Sequence, residues 1–215
     1  MKKLVFLLIC ILATTLTASA QSGSRHKRFQ GKYKLGLHLG NLYTQGDRSS
    51  FDSDKAGFEL GYSVSLTKEV DPILSIRYQF ITGNLSGSWE SNRDDYFEGI
   101  MMEHSLNFQY DFFELFIPRY DPLYDWHLVG GFGLGWFVTE TQLRDLESDG
   151  KIGDEATNGQ FTVSGFAGIE FAVSENLIMV INGRVSILSE DNIDNVEAFS
   201  SDYVAFSNIG FTYTL

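Results

Sequence analysis

Eight segments of the chain alternate apolar and polar residues with a period of two, and this pattern constrains the fold more than any other feature. In the first segment, for example, Leu35, Leu37 and Leu39 alternate with Gly36 and His38. Such alternation places apolar side chains on one face of a β-strand and polar side chains on the other. The segments are residues 33–40, 58–66, 74–80, 100–110, 126–138, 161–171, 177–187 and 203–215.

The length of these segments favours a membrane-spanning sheet. With their flanking residues they predict strands of roughly nine to fourteen residues, whereas soluble strands average about five or six. A tilted strand needs about nine to eleven residues to cross a bilayer. Eight is the smallest number of strands that closes a membrane barrel filled by its own side chains. We therefore predict an all-β fold, an eight-stranded antiparallel transmembrane β-barrel with up-and-down meander order, over residues 32–215.

The connections between the segments alternate in length, as a barrel with one outer rim and one periplasmic rim requires. The long, acidic connections are residues 46–55, 83–95, 140–159 and 189–202. The other three are residues 67–72, 113–125 and 174–176, and they contain all three prolines, Pro72, Pro118 and Pro122. An even strand count then predicts that both termini lie on the periplasmic side.

The polar face distinguishes a membrane barrel from a soluble, lipocalin-like barrel with the faces exchanged. It is made mostly of Gly, Ser, Asn and Gln, and a ladder of Gly131, Gly133 and Gly135 would be a poor surface toward water. Glycines instead make a good wall where bulky groups from the opposite side must fit. We therefore predict that the apolar face points toward lipid and the polar face points inward.

Three cations and three anions lie on this predicted inner face. They are Lys34, Glu59, Arg77, Glu103, Glu170 and Arg184. Buried charges must be paired, so we predict a balanced polar network that plugs the barrel and leaves no wide aqueous pore. The alternative is that these charges are scattered and exposed at strand ends.

Aromatic residues lie near the ends of the apolar face, as in the girdles of membrane barrels. They are Tyr33, Tyr62, Tyr78, Tyr110, Trp126, Trp136, Tyr203 and Tyr213. Ordinary strand propensity would also enrich aromatics. His104 interrupts the apolar face of the fourth segment. A neutral histidine near the membrane interface would explain this, and so would a local bulge in the strand.

The first twenty residues predict a signal peptide. Lys2 and Lys3 precede a short apolar run, which ends in an A-x-A cleavage site at Ala20. The run is too short to cross a membrane as a helix. Residues 21–31 would then form a short lead to the barrel. The only cysteine, Cys10, lies inside the signal and too early in it for lipidation, so the exported chain would have no disulfide, thiolate nucleophile or cysteine zinc site.

The net charge of −12 argues against a nucleic-acid partner, because phosphates require a basic surface. The negative charge falls mainly in the four long connections, where it would keep the outer rim hydrated beside outer-membrane lipid and lipopolysaccharide. No motif calls for a cofactor.

The last strand ends in the pattern Asn208-x-Gly210-x-x-Tyr213-x-Leu215, which resembles the signal that the barrel assembly machinery of the outer membrane reads. The usual last residue is aromatic, and Leu215 departs from that. The chain as a whole resembles the small outer-membrane β-barrels of Bacteroidetes type, including OmpA- and OmpX-like eight-stranded barrels. The resemblance rests on segments 35–47, 73–87, 102–112 and 127–137 and covers most of residues 31–215. It implies location and architecture, and little about chemistry.

No catalytic constellation is evident, and we expect no enzyme. Lipid A deacylases of this size present Ser and His on one face, two residues apart, whereas His104 and Ser105 are adjacent and point to opposite faces. His26, His38 and His127 have no Ser or Asp partner at a spacing that suggests a triad. Residues 145–156 partly resemble a calcium loop but have Ala156 where a bidentate Glu is needed. We therefore expect no metal site, although weak divalent binding among the acidic loops stays open.

Three functions fit this pattern. The first is an integral outer-membrane barrel with a structural or loop-mediated interaction role. The second is an accessory subunit of an envelope machine, such as a type IX secretion assembly, that docks through the Phe-, Tyr- and Leu-rich residues 113–125. The third is a narrow, porin-like channel.

Overall fold

The chain closes into a single antiparallel β-barrel. The computed structural model describes residues 32–45, 59–88, 95–116, 126–145, 148, 150–174, 176–189 and 202–215. Each strand pairs with its neighbours in the chain, and the first strand closes on the last. The predicted fold class and meander order are confirmed. The elements are β1 (Tyr33–Gln45), β2 (Glu59–Glu69), β3 (Leu74–Ser88), β4 (Asp95–Asp111), α1 (Phe112–Phe116), β5 (Trp126–Asp145), β6 (Lys151–Ala172), β7 (Leu177–Leu188) and β8 (Tyr203–Thr214).

The apolar side chains of the alternating segments point away from the barrel axis. Leu37 is 61% exposed and Phe211 is 51% exposed, whereas the neighbouring inward residues His38 and Thr212 are buried. A water-soluble barrel would bury this face, because exposing large apolar side chains to water costs about 1.5–3 kcal/mol each. The outer surface is therefore built for a hydrocarbon solvent.

The two ends of the barrel differ. At one end, hereafter the turn end, short connections join β2 to β3 and β6 to β7, and the chain finishes at Leu215. The β2–β3 turn is held by Asp71, whose Oδ1 accepts hydrogen bonds from the backbone N–H groups of Ile73 (2.8 Å) and Leu74 (2.7 Å). The opposite end, hereafter the loop end, carries the connections between β1 and β2, β3 and β4, β5 and β6, and β7 and β8.

Two of the predicted long connections are wrong in their extent. Residues 140–145 continue β5 and residues 151–159 begin β6, and the two strands pair as far as Arg144 and Lys151 with a bulge at Thr141–Leu143. The backbone N–H of Asp145 then bonds to the carbonyl of Gly150 at 2.9 Å and closes a tight hairpin. The connection predicted at residues 83–95 likewise shortens to residues 89–94, because β3 continues to Ser88 and β4 begins at Asp95.

The connection predicted at residues 113–125 begins with a short helix instead of an extended segment. Asp111 starts α1, because its Oδ1 accepts hydrogen bonds from the N–H groups of Phe113 (2.9 Å) and Glu114 (3.2 Å). Residues 117–125 lie outside the described residues. In the described part of the chain, no helix has the length and apolar character needed to span a membrane.

Candidate functional site

The inner wall of the barrel carries the six charged residues singled out from the sequence, and the structure arranges them at different depths. Four of them form two buried ion pairs near the middle of the barrel. Lys34 lies at the turn end and Glu59 at the loop end. The six residues therefore do not make one cluster, because strands of a closed barrel hold them at fixed heights.

The first buried pair joins Arg184 of β7 to Glu103 of β4 across the barrel. The Arg184 guanidinium donates further hydrogen bonds to Asn107 Oδ1 (2.7 Å) and Ser186 Oγ (3.2 Å), and Ser186 Oγ donates to Glu103 Oε2 at 3.0 Å. Arg184 is 3% exposed and Glu103 is 1% exposed. The pair is thus removed from solvent, and its cost of burial is offset by several charge-assisted bonds.

The second buried pair lies nearer the turn end. Arg77 Nη2 of β3 is 3.3 Å from Glu170 Oε1 of β6, and Gln109 Nε2 donates to the same oxygen at 2.9 Å. Arg77 also donates to Thr67 Oγ1 at 3.3 Å, and its guanidinium lies 5.7 Å from the ring centre of Phe166. The aromatic face adds a cation–π contact to the ion pair.

The two remaining charges have partners that sequence reasoning missed or did not seek. Lys34 Nζ is 2.7 Å from Glu69 Oε1 at the turn end, and Glu69 was not among the predicted residues. Glu59 Oε1 accepts a hydrogen bond from Ser86 Oγ at 2.6 Å at the loop end. Glu69 is separated from Lys34 by 35 positions, and only the β1–β2 pairing brings the two together.

The interior toward the loop end contains a cluster of apolar side chains, which the polar interior predicted from the alternation did not include. Nine inward-facing apolar side chains pack there into one cluster, hereafter the apolar cap. Phe97, Met101 and Phe137 are fully buried in it. The apolar cap consists of Leu42, Ile81, Leu85, Phe97, Met101, Phe137, Leu188, Val204 and Phe206. It lies closer to the loop end than the Arg77–Glu170 pair, and it adjoins the Arg184–Glu103 pair, because Glu103 is paired with Ile81 on one side and Phe137 on the other.

Glycines make room for this interior, as expected for the ladder in β5. A Cβ at Gly133 would collide with the amide oxygen of Asn107, which is the acceptor for Arg184. A Cβ at Gly61 would come within 2.8 Å of Leu42 Cδ1 and 2.9 Å of Phe206 Cε2 in the apolar cap. The space that the glycines leave on one wall is thus filled by large side chains from other strands.

The interior histidine has a partner that its position in the sequence did not indicate. His38 Nδ1 lies 3.4 Å from Ser63 Oγ, and Ser63 Oγ also accepts a hydrogen bond from Gln79 Nε2 at 2.8 Å. His38 is 6% exposed and Ser63 is 2% exposed, so this pair has no surface on which a substrate carbonyl could sit. The contact belongs to the interior hydrogen-bond network.

His104 faces outward, and the bulge considered for it is wrong. The ladder runs without interruption through Phe80, His104 and Trp136. His104 Nδ1 shares a 2.7 Å hydrogen bond with Tyr78 Oη, and its ring packs 4.8 Å from the ring of Phe80. A polar side chain in an apolar surface is stabilised by such a bond. Ser105 points inward, so the two residues lie on opposite faces.

A second histidine lies at the turn end. His127 Nδ1 is 2.5 Å from Asp111 Oδ2, while the other carboxylate oxygen of Asp111 caps α1. This Asp–His contact was also missed, because the two residues meet only through β4–β5 pairing. Among the described residues, no group of three or more His, Cys, Asp and Glu side chains has the geometry of a metal site.

The segment that partly resembles a calcium loop lies at the tip of the β5–β6 hairpin, of which Asp145, Ser148 and Gly150 are described. Asp145 Oδ1 accepts hydrogen bonds from the N–H of Ser148 (2.7 Å) and from its Oγ (2.8 Å). Asp145 thus uses this oxygen to stabilise a turn. Glu147 and Asp149 lie outside the described residues.

The residues of the predicted assembly signal lie on both faces of β8. Asn208 and Gly210 face the interior, whereas Tyr213 is 50% exposed and Leu215 is 70% exposed at the turn end. A Cβ at Gly210 would collide with the carbonyl oxygen of Leu37 on β1. Gly210 therefore allows β8 to pack closely against β1 where the barrel closes, whether or not the assembly machinery recognises it.

The predicted aromatic girdle faces outward. Six of its members are 40–52% exposed: Tyr33, Tyr62, Tyr78, Trp126, Trp136 and Tyr213. Tyr110 and Tyr203 are half-buried. Tyr33, Tyr110, Trp126 and Tyr213 lie at the turn end, where Phe113 of α1 adds an edge contact to Trp126 at 4.6 Å.

Solved structures of small outer-membrane barrels share this architecture. Neisserial surface protein A superposes with a TM-score of 0.54 at 9% identity, covering 85% of this chain and 97% of that one. The attachment invasion locus protein Ail of Yersinia pestis, solved with the heparin analogue sucrose octasulfate, gives 0.53 at 12% identity and coverages of 86% and 99%. A major outer membrane protein of Thermus thermophilus gives 0.53 at 13% identity and coverages of 85% and 99%. These identities show the fold alone.

Sequence comparison identifies the family. No curated protein sequence matches the chain. The family model described as "Outer membrane protein beta-barrel domain" matches residues 8–214, which is nearly the whole chain. The chain therefore belongs to the outer membrane protein β-barrel family, and this membership points to the outer membrane of a bacterium as its location.

Proposed function

We propose that the protein is an integral outer-membrane barrel that performs no catalysis, conducts no solute and acts through what it presents at the loop end. The observation that carries this proposal is the filled interior. Buried apolar side chains of the cap pack toward the loop end, and two buried ion pairs lie near the middle of the barrel, so we infer that the interior is closed. A barrel closed in this way offers its rims and outer wall as working surfaces.

The proposed topology places the turn end in the periplasm and the loop end outside the cell. The short turns and the C-terminus lie at one end, which matches the short periplasmic turns of outer-membrane barrels. Export by a signal peptide cleaved near Ala20 belongs to the same proposal, and residues 1–31 lie outside the described residues. The outward apolar surface and its aromatic girdle would contact outer-membrane lipid and lipopolysaccharide.

Planar-bilayer recording of the refolded protein tests the closed barrel. We expect no conductance steps from the natural sequence. A variant in which Phe97 and Phe137 are both replaced by glycine removes two fully buried rings from the apolar cap, and it serves as a positive control because it should conduct. Steady conductance by the natural sequence would overturn the proposal.

That contrary result would support a narrow, porin-like channel. One side of the interior favours this second candidate, because inward polar atoms on β6, β7 and β8 have no hydrogen-bond partner in the described structure. They include Ser164 Oγ, Asn182 Oδ1 and both amide atoms of Asn208. Water could satisfy these groups and continue along the wall.

An accessory role in an envelope machine is supported by α1. Phe116 is 73% exposed and Leu115 is 39% exposed at the turn end, where a periplasmic partner could reach them. Membrane-interface anchoring explains the same exposure. Affinity purification of the natural sequence and of a Leu115→Ser/Phe116→Ser variant separates the two. Loss of a partner protein supports the machine, and an unchanged set of partners supports the lone barrel.

Recognition by the barrel assembly machinery is proposed for the end of β8. Tyr213 and Leu215 suit the test because both are exposed, whereas Gly210 also serves the β1–β8 seam. A Tyr213→Ala/Leu215→Ala variant should fold slowly into vesicles that contain the machinery and normally into detergent. Equal rates for the variant and the natural sequence in both systems would contradict the assignment.

A further inference from the structure

A pair of polar side chains lies within the apolar, lipid-facing wall of the barrel. Tyr78 of β3 and His104 of β4 both point outward, and Tyr78 Oη is 2.7 Å from His104 Nδ1. Their outward neighbours are apolar. Phe80 and Trp136 flank His104 across the ladder, and Leu106, which is 47% exposed, lies opposite Tyr78. The pair therefore faces the same surroundings as the apolar side chains of the outer wall.

The pair carries one more proton than its own hydrogen bond can use. The tyrosine hydroxyl has one proton, and a neutral imidazole ring has one more. If Tyr78 donates to Nδ1 of His104, the ring proton lies on Nε2 and is unused. If Nδ1–H donates to Tyr78 instead, the hydroxyl proton is unused, and a protonated ring would leave two unused protons. In the described part of the chain, neither side chain has a second hydrogen-bond partner. At least one donor is therefore left over in every protonation state.

His104 lies in the half of the apolar band nearer the loop end. It precedes Tyr110, a girdle residue at the turn end of the same strand, by six positions. A strand rises about 3.3 Å per residue and tilts by about 40° in a small barrel, so six positions span about 15 Å of an apolar band about 25 Å tall. Trp136, which is paired with His104 and 52% exposed, marks the same level, because tryptophan is enriched near membrane interfaces. His104 therefore lies beneath the interface of the leaflet at the loop end.

An unused donor at this depth favours a lipid that brings an acceptor to it. Acyl chains have no acceptor, and an unmet N–H or O–H in hydrocarbon is costly. The acyl ester carbonyls of membrane lipids are acceptors. In lipid A, some acyl chains are esterified to hydroxyl groups on other acyl chains, which places carbonyls a few carbon atoms deeper than those of a glycerophospholipid. The depth of His104 therefore suits lipid A.

We propose that Tyr78 and His104 form a binding site for lipid A, in which the unused proton of the pair donates to an acyl ester carbonyl. An acyl chain of the bound lipid would pack against the outward rings of Phe80 and Trp136. The site rests on the proposed topology, which places the loop end outside the cell, where lipopolysaccharide forms the outer leaflet. It would give the barrel a selective contact with one lipid through its wall, in addition to what it presents at the loop end.

Displacement of a brominated lipid from beside Trp136 tests the site. The substitutions Trp89→Phe and Trp126→Phe leave Trp136 as the only tryptophan, next to His104. The refolded full chain is placed in vesicles of a brominated diether phosphatidylcholine, which has no ester carbonyl and quenches Trp136. Adding a small fraction of lipid A should restore the fluorescence by more than the fraction added, because lipid A would occupy the site in preference to the ether lipid.

Three comparisons in this background isolate the hydrogen bond. Tyr78→Phe/His104→Phe keeps two aromatic rings but removes both polar groups, and we expect it to bind lipid A about fivefold more weakly. Tyr62→Phe removes the hydroxyl of another outward tyrosine, which is 51% exposed, and it should bind as the parent does. Lipid A from which mild alkali has removed the ester-linked chains should show no preference for the parent over the double variant.

Equal binding of lipid A by the parent and by Tyr78→Phe/His104→Phe would overturn the proposal, and so would equal weakening by Tyr62→Phe. A diester phosphatidylcholine that restores the fluorescence as well as lipid A does would show that the pair accepts any acyl ester, and it would overturn the assignment to lipid A. A gel-shift assay of the folded barrel for each variant ensures that a loss of binding is not a loss of folding.

This experiment can fail separately from the proposed function. Both leaflets of these vesicles have the same composition, so the preference for lipid A does not depend on which end of the barrel faces outward. Conductance is recorded independently and tests the closed interior. A wrong topology or an open barrel would therefore leave the lipid preference measurable, and a missing preference would leave both of those proposals intact.

Discussion

The two halves of the barrel interior are held together by different forces. The half toward the turn end contains the buried Arg77–Glu170 ion pair with its directional hydrogen bonds, and the Arg184–Glu103 pair lies at the boundary between the halves, since Glu103 is paired with Ile81 and Phe137. The half toward the loop end contains the apolar cap, in which packing replaces hydrogen bonding. Since hydrocarbon surrounds both halves, the difference lies entirely in how the inward positions of the same strands are occupied.

This difference shows that the interior of a small barrel can be filled either by ion pairs or by apolar packing. Ion pairs tolerate no loss of a partner, because an unpaired buried charge is far more costly than a cavity. Apolar packing loses stability in proportion to the volume removed. We therefore expect substitutions in the polar half to be severe and sensitive to charge, and substitutions in the apolar cap to be graded with size.

The largest effect is expected for Glu103→Gln. This change keeps the shape of the side chain but leaves the Arg184 guanidinium buried without a counter-charge, and we expect the free energy of unfolding to fall by about 3–5 kcal/mol. Urea unfolding in phospholipid vesicles, followed by tryptophan fluorescence, measures it. The paired change Glu103→Met/Arg184→Met removes both charges and should recover much of the loss. A loss below about 1 kcal/mol for the single variant would show that the pair is solvated.

A somewhat smaller effect is expected for Leu42→Ala in the apolar cap. Leu42 is 1% exposed, and its removal should cost about 2–5 kcal/mol through lost burial and an unfilled cavity. The same urea assay applies. Leu37→Ala on the outer face of β1 is the matched control, because Leu37 is 61% exposed in the protein and lies against lipid in a bilayer. If both variants lose equal stability, packing within the apolar cap contributes no more than contact with lipid on the outer face.

Gly61→Ala tests the fit between the glycine wall and the apolar cap. The new methyl group would meet Leu42 Cδ1 at 2.8 Å, and we expect a loss of about 1–3 kcal/mol from overpacking. Because the contacted atoms are side-chain atoms, Gly61→Ala/Leu42→Ala should lose less than the two single variants together. Additive losses in this double-mutant cycle would place the strain in the backbone.

The smallest effect is expected for Glu98→Gln. Glu98 Oε1 lies 2.5 Å from Arg144 Nη2, but the Glu98 side chain is 44% exposed and the Arg144 side chain is 25% exposed. Exposed ion pairs contribute about 0–1 kcal/mol, and salt screens them. Compared with Glu103→Gln, the same chemical change measures how much burial alone contributes. A loss as large as that of Glu103→Gln would erase the distinction between rim and interior.

The sequence was sufficient to predict the strand number, the meander order and the outward direction of the apolar side chains. Period-two alternation carries this information wherever one face is apolar and the other polar. The upper parts of β5 and β6 were predicted as a loop because the outward residues there, such as Glu140 and Thr157, are polar like their inward neighbours. Without contrast between the faces, a strand looks like a loop in composition.

The apolar cap was missed for the opposite reason. At Ile100-Met101-Met102 and Trp136-Phe137-Val138, inward and outward residues are all apolar, so the alternation disappears while the strand continues. Such runs of three apolar residues in an otherwise alternating strand were the available signal for an apolar interior.

The sequence carried a weaker signal for the side-chain contacts at the turn end. Asp111 followed three residues later by Glu114 is a helix-capping pattern that would have predicted α1. Glu69 and His127 offered no such pattern, because Lys34 and Asp111 reach them only through strand pairing. Local sequence carries no record of register between strands, so these contacts required the structure.

The hairpin at Asp145 and Gly150 joins β5 and β6, the two longest strands in the described part of the chain. These strands have 20 and 22 residues, against 11 in β2, and their ladder of backbone hydrogen bonds continues toward the tip. In the proposed topology, a peptide tag inserted between Asp145 and Gly150 would therefore be held rigidly outside the cell, where an antibody could bind it without disturbing the rest of the barrel.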